Sequence, residues 1–308
     1  VPQSVPPQIA VPLFSVARRL QVPPCCSHAS CCLANYRLRD ENEPPTAENM
    51  EILSFRFTED YGNVWFFVNT AQIELDFAPC IPKILKAVLA MRDDESMDGE
   101  LAAEALKEAL VATERSVSTM RATLKRMRPN LKPGMFYDEI RPYLTGFTGG
   151  KFKEWQGITC PHMLNGGSAA QSSTLQLVDA FLGVEHPAEA AEFLESQLQF
   201  MPVPHRELIR FVRETSRAKH LVRSSGELAP LYEACLRAMV EFRNEHLNVA
   251  AAYIIVPSRS SKATNGGNKA TVGDAATGTG GTGFMPFLKA VRDKTKNELN
   301  EAEAKRSG

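Results

Sequence analysis

One histidine of the sequence has a spacing that would turn its imidazole toward a protein interior. In the predicted helix 227–256, apolar residues recur with His246 every three or four positions and share its face. They are Cys235, Met239, Phe242, Val249 and Tyr253. One interpretation is a core histidine satisfied by a backbone carbonyl. The alternative is an imidazole that ligates the iron of a flat macrocycle.

An arginine strengthens the second interpretation. Arg243 lies three residues before His246, one helical turn away near the same face. A guanidinium at that position would meet a carboxylate of the macrocycle in a charge-assisted hydrogen bond. Asp179, in another predicted helix, is a candidate counter-ion for Arg243. The spacing therefore points toward a haem site and still leaves the core-histidine interpretation open.

Four cysteines and a histidine lie close together in Cys25-Cys26-Ser27-His28-Ala29-Ser30-Cys31-Cys32. A structural zinc site needs a second pair of ligands elsewhere in the chain. The remaining cysteines, Cys80, Cys160 and Cys235, stand alone. The spacing rule for zinc is only half met, so the sequence favours a tight segment with buried thiols.

The run Gly278-Thr279-Gly280-Gly281-Thr282-Gly283 matches the letters of a dinucleotide-binding motif, G-x-G-x-x-G. That motif requires a preceding strand, a following helix and an acidic residue about 20 positions later. Here a polar stretch precedes it and only 25 residues follow. We therefore exclude a Rossmann unit, and the glycines instead offer backbone that can approach a ligand closely.

The other histidines give no support to a hydrolase. None of them pairs with a serine or cysteine in a nucleophile-elbow pattern, and neither H-E-x-x-H nor G-x-S-x-G occurs. The sequence therefore offers no convincing acid–base or nucleophilic dyad.

Helical periodicity accounts for most of the chain. The strongest signal spans 97–128, where seven residues recur every three or four positions: Leu106, Leu110, Thr113, Val117, Met120, Leu124 and Met127. Pro129 is predicted to end this helix. The other predicted helices are a short one at 16–20 and those at 80–92, 135–144, 168–183, 187–199, 203–221, 227–256 and 284–305. Val64–Val68 resembles a strand but could equally open a buried helix. We predict a single all-α domain, 1–308.

The segment 258–283 differs in character from its surroundings. It is polar, small and almost free of large apolar groups, so it buries too little surface to offset its ordering entropy. We expect a mobile loop, which is either a functional lid or a plain linker.

The composition is that of a folded globular protein. The chain has 308 residues, of which 44% are hydrophobic and 23% charged, with a net charge of −1. This balance provides no field to attract nucleic acid or an anionic membrane. Neither a bilayer-spanning run nor a signal peptide is found. Seven sparse cysteines indicate a reducing, cytoplasmic setting, and we expect a monomer.

Five segments, in one order, carry a resemblance to the haem-dependent indoleamine 2,3-dioxygenases. They are Cys32-Leu33-Ala34-Asn35-Tyr36, Phe136-Tyr137-Asp138-Glu139-Ile140-Arg141-Pro142-Tyr143-Leu144, Gly166-Gly167-Ser168-Ala169-Ala170-Gln171-Ser172-Ser173, Arg243-Asn244-Glu245-His246-Leu247 and Gly278-Thr279-Gly280-Gly281-Thr282. Each is short, but together they are specific and cover about residues 8 to 295. The resemblance implies an all-α, multi-helix haem-binding domain of the indoleamine 2,3-dioxygenase type.

The resemblance also implies the chemistry and the haem contacts. The cofactor would be haem b, kept ferrous by an electron donor, and O2 would be inserted across the indole C2–C3 bond of L-tryptophan to give N-formylkynurenine, the first step of the kynurenine pathway. His246 would be the proximal iron ligand, and Arg243, supported by Asp179, would bind a haem propionate. Gly167 and Ser168 would border the haem.

The substrate contacts follow from the same resemblance. Phe136 and Tyr137 would pack on the indole ring, and the guanidinium fork of Arg141 would pair with the substrate carboxylate. The residues implied to border or close the pocket are Ser168, Ala169, Thr279, Gly280 and Gly281. Those implied for the distal pocket are His28, Cys31 and Thr70.

Some features depart from the family pattern. Family members carry a smaller helical N-terminal domain of roughly a hundred residues, which we expect to be missing here, as in a truncated chain or fragment. Tyr137 and His28 stand where some members have Phe and Tyr, and Ala170 replaces a Gly. The alternative function is therefore a haem-binding protein with little or no turnover. A third hypothesis is a helical interaction protein without a cofactor, and only the amphipathic helix 97–128 supports it.

Overall fold

The computed structural model describes residues 4–93, 100–146, 154–159, 164–259, 278–279 and 283–307. The predicted 258–283 loop falls mostly outside these ranges. Helices dominate the described residues, so the all-α prediction is confirmed. None of the described helices has both the length and the apolar character needed to cross a bilayer.

Ten helices of seven residues or more organise the described part of the chain. They are α1 (Pro7–Leu20), α2 (Tyr61–Phe77), α3 (Ile81–Asp93), α4 (Glu100–Lys125), α5 (Ser173–Leu182), α6 (Ala188–Gln197), α7 (Val203–Thr215), α8 (Ala218–Ser224), α9 (Leu228–Ala250) and α10 (Phe284–Ser307). Short helical turns lie between several of them. The strands are only two or three residues long: Ser4–Val5 pairs in parallel with Glu154–Trp155, and Tyr36–Leu38 pairs antiparallel with Met50–Ile52.

The long helix α4 forms the centre of the main core. Its predicted apolar stripe is buried, and α4 packs against α2, α3 and α9. Leu106 and Leu110 are completely buried there. The main core also includes residues of α5, α7 and the last turns of α10. The periodicity of the sequence therefore identified the helix around which the others assemble.

The strand-like run Val64–Val68 lies within the helix α2, so the alternative of a buried helix is confirmed. Asp60 caps the helix, because its carboxylate accepts a hydrogen bond from the Gly62 amide at 2.7 Å. Trp65, Phe67 and Val68 are all nearly fully buried. A helix buried on several sides has no polar face, so its period of 3.6 is hidden in the sequence.

Three predicted helix boundaries are wrong. The predicted short helix 16–20 is the end of α1, which begins at Pro7. The helix α4 ends at Lys125, before Pro129, and Pro129 lies in a short turn, Met127–Asn130, where its missing amide proton is tolerated. The predicted helix 203–221 is two helices, α7 and α8. They separate at Ser216, which has extended backbone and whose hydroxyl donates a hydrogen bond to the Phe181 carbonyl.

The predicted helix 135–144 is divided into turns of different pitch. Pro133–Met135 is α-helical, Phe136–Ile140 is a π-helix and Arg141–Thr145 is a 3₁₀-helix. A second π-helix, Ala251–Ile255, extends α9. Such π-turns are often found at functional sites. These two segments and α2 contribute to a second core, in which Tyr253 donates a hydrogen bond to the Leu131 carbonyl at 2.7 Å.

We predict that Leu110→Ala lowers the free energy of unfolding by about 2–5 kcal/mol, because Leu110 is fully buried where α4 meets its neighbours. Urea unfolding at constant pH measures the change. Leu101→Ala, on the same helix but 84% exposed, is the matched control and should change stability by less than about 0.5 kcal/mol. Equal losses in the two variants would contradict the core assignment.

Candidate functional site

A mostly apolar cavity lies between the two cores. Helices α2, α4, α9 and α10 contribute to its wall, together with the segments around 28–32, 136–144 and 167–175. Ten of the sequence-predicted site residues line it: His28, Cys31, Thr70, Phe136, Arg141, Gly167, Ser168, Ala169, His246 and Thr279. Residues far apart in the chain therefore meet at one place.

Five of the predicted site residues are not on this wall. Tyr137 lies beside it, under the Arg141 guanidinium, at 5.5 Å from the ring centroid. Arg243 and Asp179 do not line it, and Asp179 lines a second cavity instead. Gly280 and Gly281 are outside the described residues.

His246 lies on the inward face of α9, as its spacing predicts. Its predicted face companions are buried or line the cavity with it. Burial and the positive charge of Arg243 lower the pKa of His246 to about 4. Within the described residues the imidazole forms no hydrogen bond. The ring is therefore neutral at pH 7 and faces an apolar space. Its unprotonated nitrogen keeps a lone pair that can ligate a metal.

Arg243 is held by a buried network behind His246. Its Nη2 donates to both carboxylate oxygens of Asp179, at 2.7 and 2.6 Å, and its Nη1 donates to the Thr295 hydroxyl. His186 Nε2 lies 2.8 Å from the same carboxylate. Burial disfavours the Asp179 carboxylate, but Arg243 and His186 outweigh it and lower the pKa of Asp179. The network connects α9 to α5 and to α10.

A second buried ion pair lies on the cavity wall itself. His28 Nε2 is 2.9 Å from Glu74 Oε1, and both side chains are more than nine-tenths buried. The Ser172 and Thr174 hydroxyls donate to the Glu74 carboxylate at 2.6 and 2.7 Å. Burial alone lowers the pKa of His28, whereas Cys32 and Glu74 raise it, and the net result is about 10. The His28 ring is therefore protonated at neutral pH.

Sequence reasoning missed Glu74. It lies in α2, whose buried character was ambiguous, and a lone glutamate in an apolar helix resembles a solvent-facing residue. The only available signal was its position four residues after Thr70, on the same helical face. Both residues line the cavity, and the Thr70 hydroxyl donates to the Phe66 carbonyl at 2.6 Å.

Gln171 ties two wall segments together. Its side-chain oxygen accepts from the His28 amide at 2.9 Å, and its Nε2 donates to the Gly166 carbonyl at 2.9 Å. Ser168 and Gln171 also form a capping box. The segment of Gly166 and Ser168 is therefore fixed against the segment of His28.

Thr279 docks on the same wall. Its hydroxyl donates to the Gly167 carbonyl at 2.6 Å, and its own carbonyl accepts from the Gly166 amide at 3.1 Å. Gly278 and Thr279 are the part of the glycine-rich run that the structure describes at this contact. It brings Gly278 and Thr279 to the cavity.

We predict that Glu74→Gln reduces the pH dependence of stability above neutrality. Because His28 has a raised pKa in the folded state, its stabilising contribution is complete below about pH 6.5 and is lost as the pH rises through about 10. The wild-type free energy of unfolding should therefore carry a term that falls by up to about 1.4 kcal/mol per pH unit in this window. Urea unfolding at pH 7.5 and 9 measures it.

The matched control is Glu108→Gln, which removes a carboxylate from a surface pair with Lys86. It should keep the wild-type slope, whereas Glu74→Gln flattens it. Identical slopes for the wild type and both variants would show that the His28–Glu74 pair carries no pH-dependent stability.

Comparison with known proteins agrees with this geometry. A family model described as indoleamine 2,3-dioxygenase matches residues 1–298. Indoleamine 2,3-dioxygenase 1 of Rattus norvegicus is 32% identical over 305 residues, covering 96% of this chain and 73% of the rat protein. Indoleamine 2,3-dioxygenase of Saccharomyces cerevisiae is 30% identical over 337 residues, covering 96% and 73%. A protein named myoglobin, from Haliotis madaka, is 28% identical over 305 residues, covering 96% and 74%.

The family model covers nearly the whole chain, and the rat relative exceeds 30% identity along almost all of it. Seven of the ten cavity residues listed above come from the segments that carried the resemblance in the sequence: Phe136, Arg141, Gly167, Ser168, Ala169, His246 and Thr279. This chain therefore belongs to the indoleamine 2,3-dioxygenase family.

Proposed function

We propose that this protein is a haem-dependent dioxygenase that opens the indole ring of L-tryptophan to give N-formylkynurenine. One observation carries the proposal: a single apolar cavity holds a neutral imidazole, His246, and a buried guanidinium, Arg141. The first is suited to an iron, and the second to the carboxylate of an amino acid. Family membership supports the reaction class.

The residues on the wall fit a haem. Aromatic and aliphatic side chains dominate it, among them Phe193, Phe242 and Phe287, and such walls suit a flat apolar macrocycle. His246 is uncharged at neutral pH and has no competing hydrogen bond among the described residues. When bound, haem b would supply the O2 chemistry that adds two oxygen atoms across the indole C2–C3 bond.

Arg243 would hold a haem propionate from its position one turn before His246. Its guanidinium already bonds to Asp179 and Thr295, which fixes its orientation. A guanidinium has five donors and can serve Asp179 and a second carboxylate together. Asp179 would thus support the contact rather than compete with it.

The remaining residues would bind and orient the substrate. Phe136 lines the cavity next to Phe66, with ring centroids 5.2 Å apart, and offers an aromatic surface to the indole. Arg141 is 3% exposed and has its guanidinium over the Tyr137 ring. Burial lowers the pKa of Arg141, against a contribution from Tyr137 that raises it. A carboxylate would stabilise this buried charge and be held in one orientation.

Thr279 and the neighbouring Gly280 and Gly281 would cover the bound amino acid. Thr279 already docks on the Gly166–Gly167 segment. Covering the cavity would exclude bulk water and hold the indole in a reactive position. An electron donor would keep the iron ferrous. We also propose that the protein acts in the cytoplasm.

The second candidate function is haem binding with little or no turnover. The specific observation that favours it is the relative named myoglobin, whose match covers the same 96% of this chain as the dioxygenases. Product analysis separates the two functions. Formation of N-formylkynurenine by the haem-loaded, reduced protein supports the dioxygenase, and full haem loading without product supports the alternative.

We predict that His246→Ala abolishes stoichiometric haem binding, because no other described imidazole on the cavity wall is both neutral and unbonded. Haem content and the ferric absorption spectrum of the purified protein measure this. His220→Ala, an exposed histidine on α8, is the control and should bind haem normally. A wild-type spectrum and haem content for His246→Ala would overturn the site.

We predict that Arg141→Ala raises the KM for L-tryptophan about 10- to 150-fold, since a hydrogen bond to a charged group contributes about 1.5–3 kcal/mol. Haem content should not change. Binding of tryptamine, which lacks the carboxylate, should be the same in the variant and the wild type. The control is Arg210→Ala, on the surface of α7. If Arg141→Ala kept the wild-type preference for L-tryptophan over tryptamine, Arg141 would not bind the substrate carboxylate.

A further inference from the structure

One cysteine of the cavity wall, Cys31, lies close enough to Cys26 to form a bond with it. The Sγ atoms of Cys26 and Cys31 lie 2.8 Å apart, within about 0.8 Å of the length of a disulfide. All six described cysteines are free thiols. The dioxygenase chemistry proposed above uses neither thiol.

The local backbone holds the two thiols together. The Cys31 amide donates to the Ser27 carbonyl at 2.9 Å, and the Ser27 amide donates to the Ser30 hydroxyl at 2.9 Å. The Ser30 hydroxyl in turn donates back to the Ser27 carbonyl at 3.1 Å. This closed turn leads into the π-helix Ala29–Leu33. The approach of Cys26 to Cys31 is thus built into the turn, so bonding them requires little rearrangement.

The two thiols have different environments. Cys26 is half-buried, whereas Cys31 is 2% exposed. Hydrogen bonding from Cys31, supported by Ser30 and opposed by burial, lowers the pKa of Cys26. The same contact and burial raise the pKa of Cys31. This asymmetry is that of an attacking thiolate beside a resolving thiol.

The neighbouring Cys25 differs from Cys26 although it is adjacent in sequence. Its thiol donates to the Asn165 carbonyl at 3.2 Å. Burial, with the nearby Cys26, raises the pKa of Cys25 to about 12. Cys25 is therefore a nearly inert thiol in the same segment, which makes it the natural control for Cys26.

We propose that Cys26 and the wall residue Cys31 form a reversible disulfide, a site of oxidative modification, with a small-molecule disulfide such as oxidised glutathione as the oxidant. The Cys26 thiolate attacks one sulfur of the oxidant and expels a glutathione thiolate, which takes a proton. Cys31 then loses its proton and attacks the Cys26 sulfur of the mixed disulfide. The second glutathione leaves, so two protein thiols are oxidised and one disulfide is reduced to two thiols.

The location connects this modification to the cavity. Cys31 lines the cavity, and His28, which pairs with Glu74, lies within the closed turn. Bond formation must shorten the distance between the two sulfurs by about 0.8 Å. We therefore expect the oxidised turn to alter the wall on which the substrate rests, an effect that depends on the proposed function.

The test is a thiol count on the purified 308-residue chain, with and without added haem. The reduced protein is equilibrated in buffers with a rising ratio of oxidised to reduced glutathione and is then quenched in acid. It is denatured and alkylated, and its mass is measured by mass spectrometry. The wild type should fall from seven alkylated cysteines to five without retaining glutathione. Cys25→Ser should likewise lose two, whereas Cys26→Ser should lose none to an internal bond. Cys31→Ser should accumulate a stable glutathione adduct on Cys26.

Three results would overturn the proposal. They are a wild type that keeps seven thiols throughout, a wild type that retains only mixed disulfides, and a Cys26→Ser variant that still forms an internal bond. Thermal unfolding of the reduced variants checks that each is folded, and the wild-type count stands without any variant. None of these readouts requires turnover, so failure here is distinct from failure of the proposed function.

A second measurement tests the connection to the cavity. The dissociation constant of L-tryptophan is measured for the reduced and the oxidised form of each protein. The two forms should differ in the wild type and in Cys25→Ser. They should not differ in Cys26→Ser. Equal constants for the two wild-type forms, with the disulfide present, would contradict the effect on the wall.

Discussion

The buried ion pair of Arg243 and Asp179 determines how the cavity is assembled. Both side chains are about nine-tenths buried, and leaving either charge unpaired in that interior would cost several kcal/mol. Arg243 also bonds to Thr295 and the Val291 carbonyl on α10. Since His246 follows one turn later on the same helix, rotation of α9 would break the pair. The orientation of the imidazole is therefore set by contacts behind the cavity.

The same physical rule shapes the cavity wall. An apolar space excludes water, so a charge on its surface must be paired by protein. Glu74 meets this requirement with His28 and two hydroxyls, and Gln171 connects the His28 segment to the one that follows Gly166. These hydrogen bonds connect the wall segments to one another without any ligand, and the proposed partner of Arg141 in the cavity is the substrate carboxylate.

The sequence allowed prediction of the parts that follow from local periodicity. The stripe of α4 and the inward face of His246 repeat every three or four residues, so both could be found without a structure. The helix α2 could not, because burial on several sides hides its period, and Glu74 was missed with it. The division of 203–221 depends on a contact between Ser216 and Phe181, 35 positions apart. Such contacts are absent from local patterns, and the roles of the site residues remain proposals.

Close backbone approach explains why the wall and the glycine-rich loop belong to one site. A Cβ atom at position 166 would lie 1.7 Å from the Leu144 carbonyl oxygen, so only glycine fits there. This approach leaves the Gly166 amide free to donate to the Thr279 carbonyl, while the Gly167 carbonyl accepts from the Thr279 hydroxyl. A side chain at 166 would separate the segments of Leu144 and Gly166, and Thr279 would lose the surface on which it docks. The steric demand of one position thus links three parts of the site: the 3₁₀-helix Arg141–Thr145, the segment from Gly166 to Gln171, and the glycine-rich run proposed to cover the amino acid.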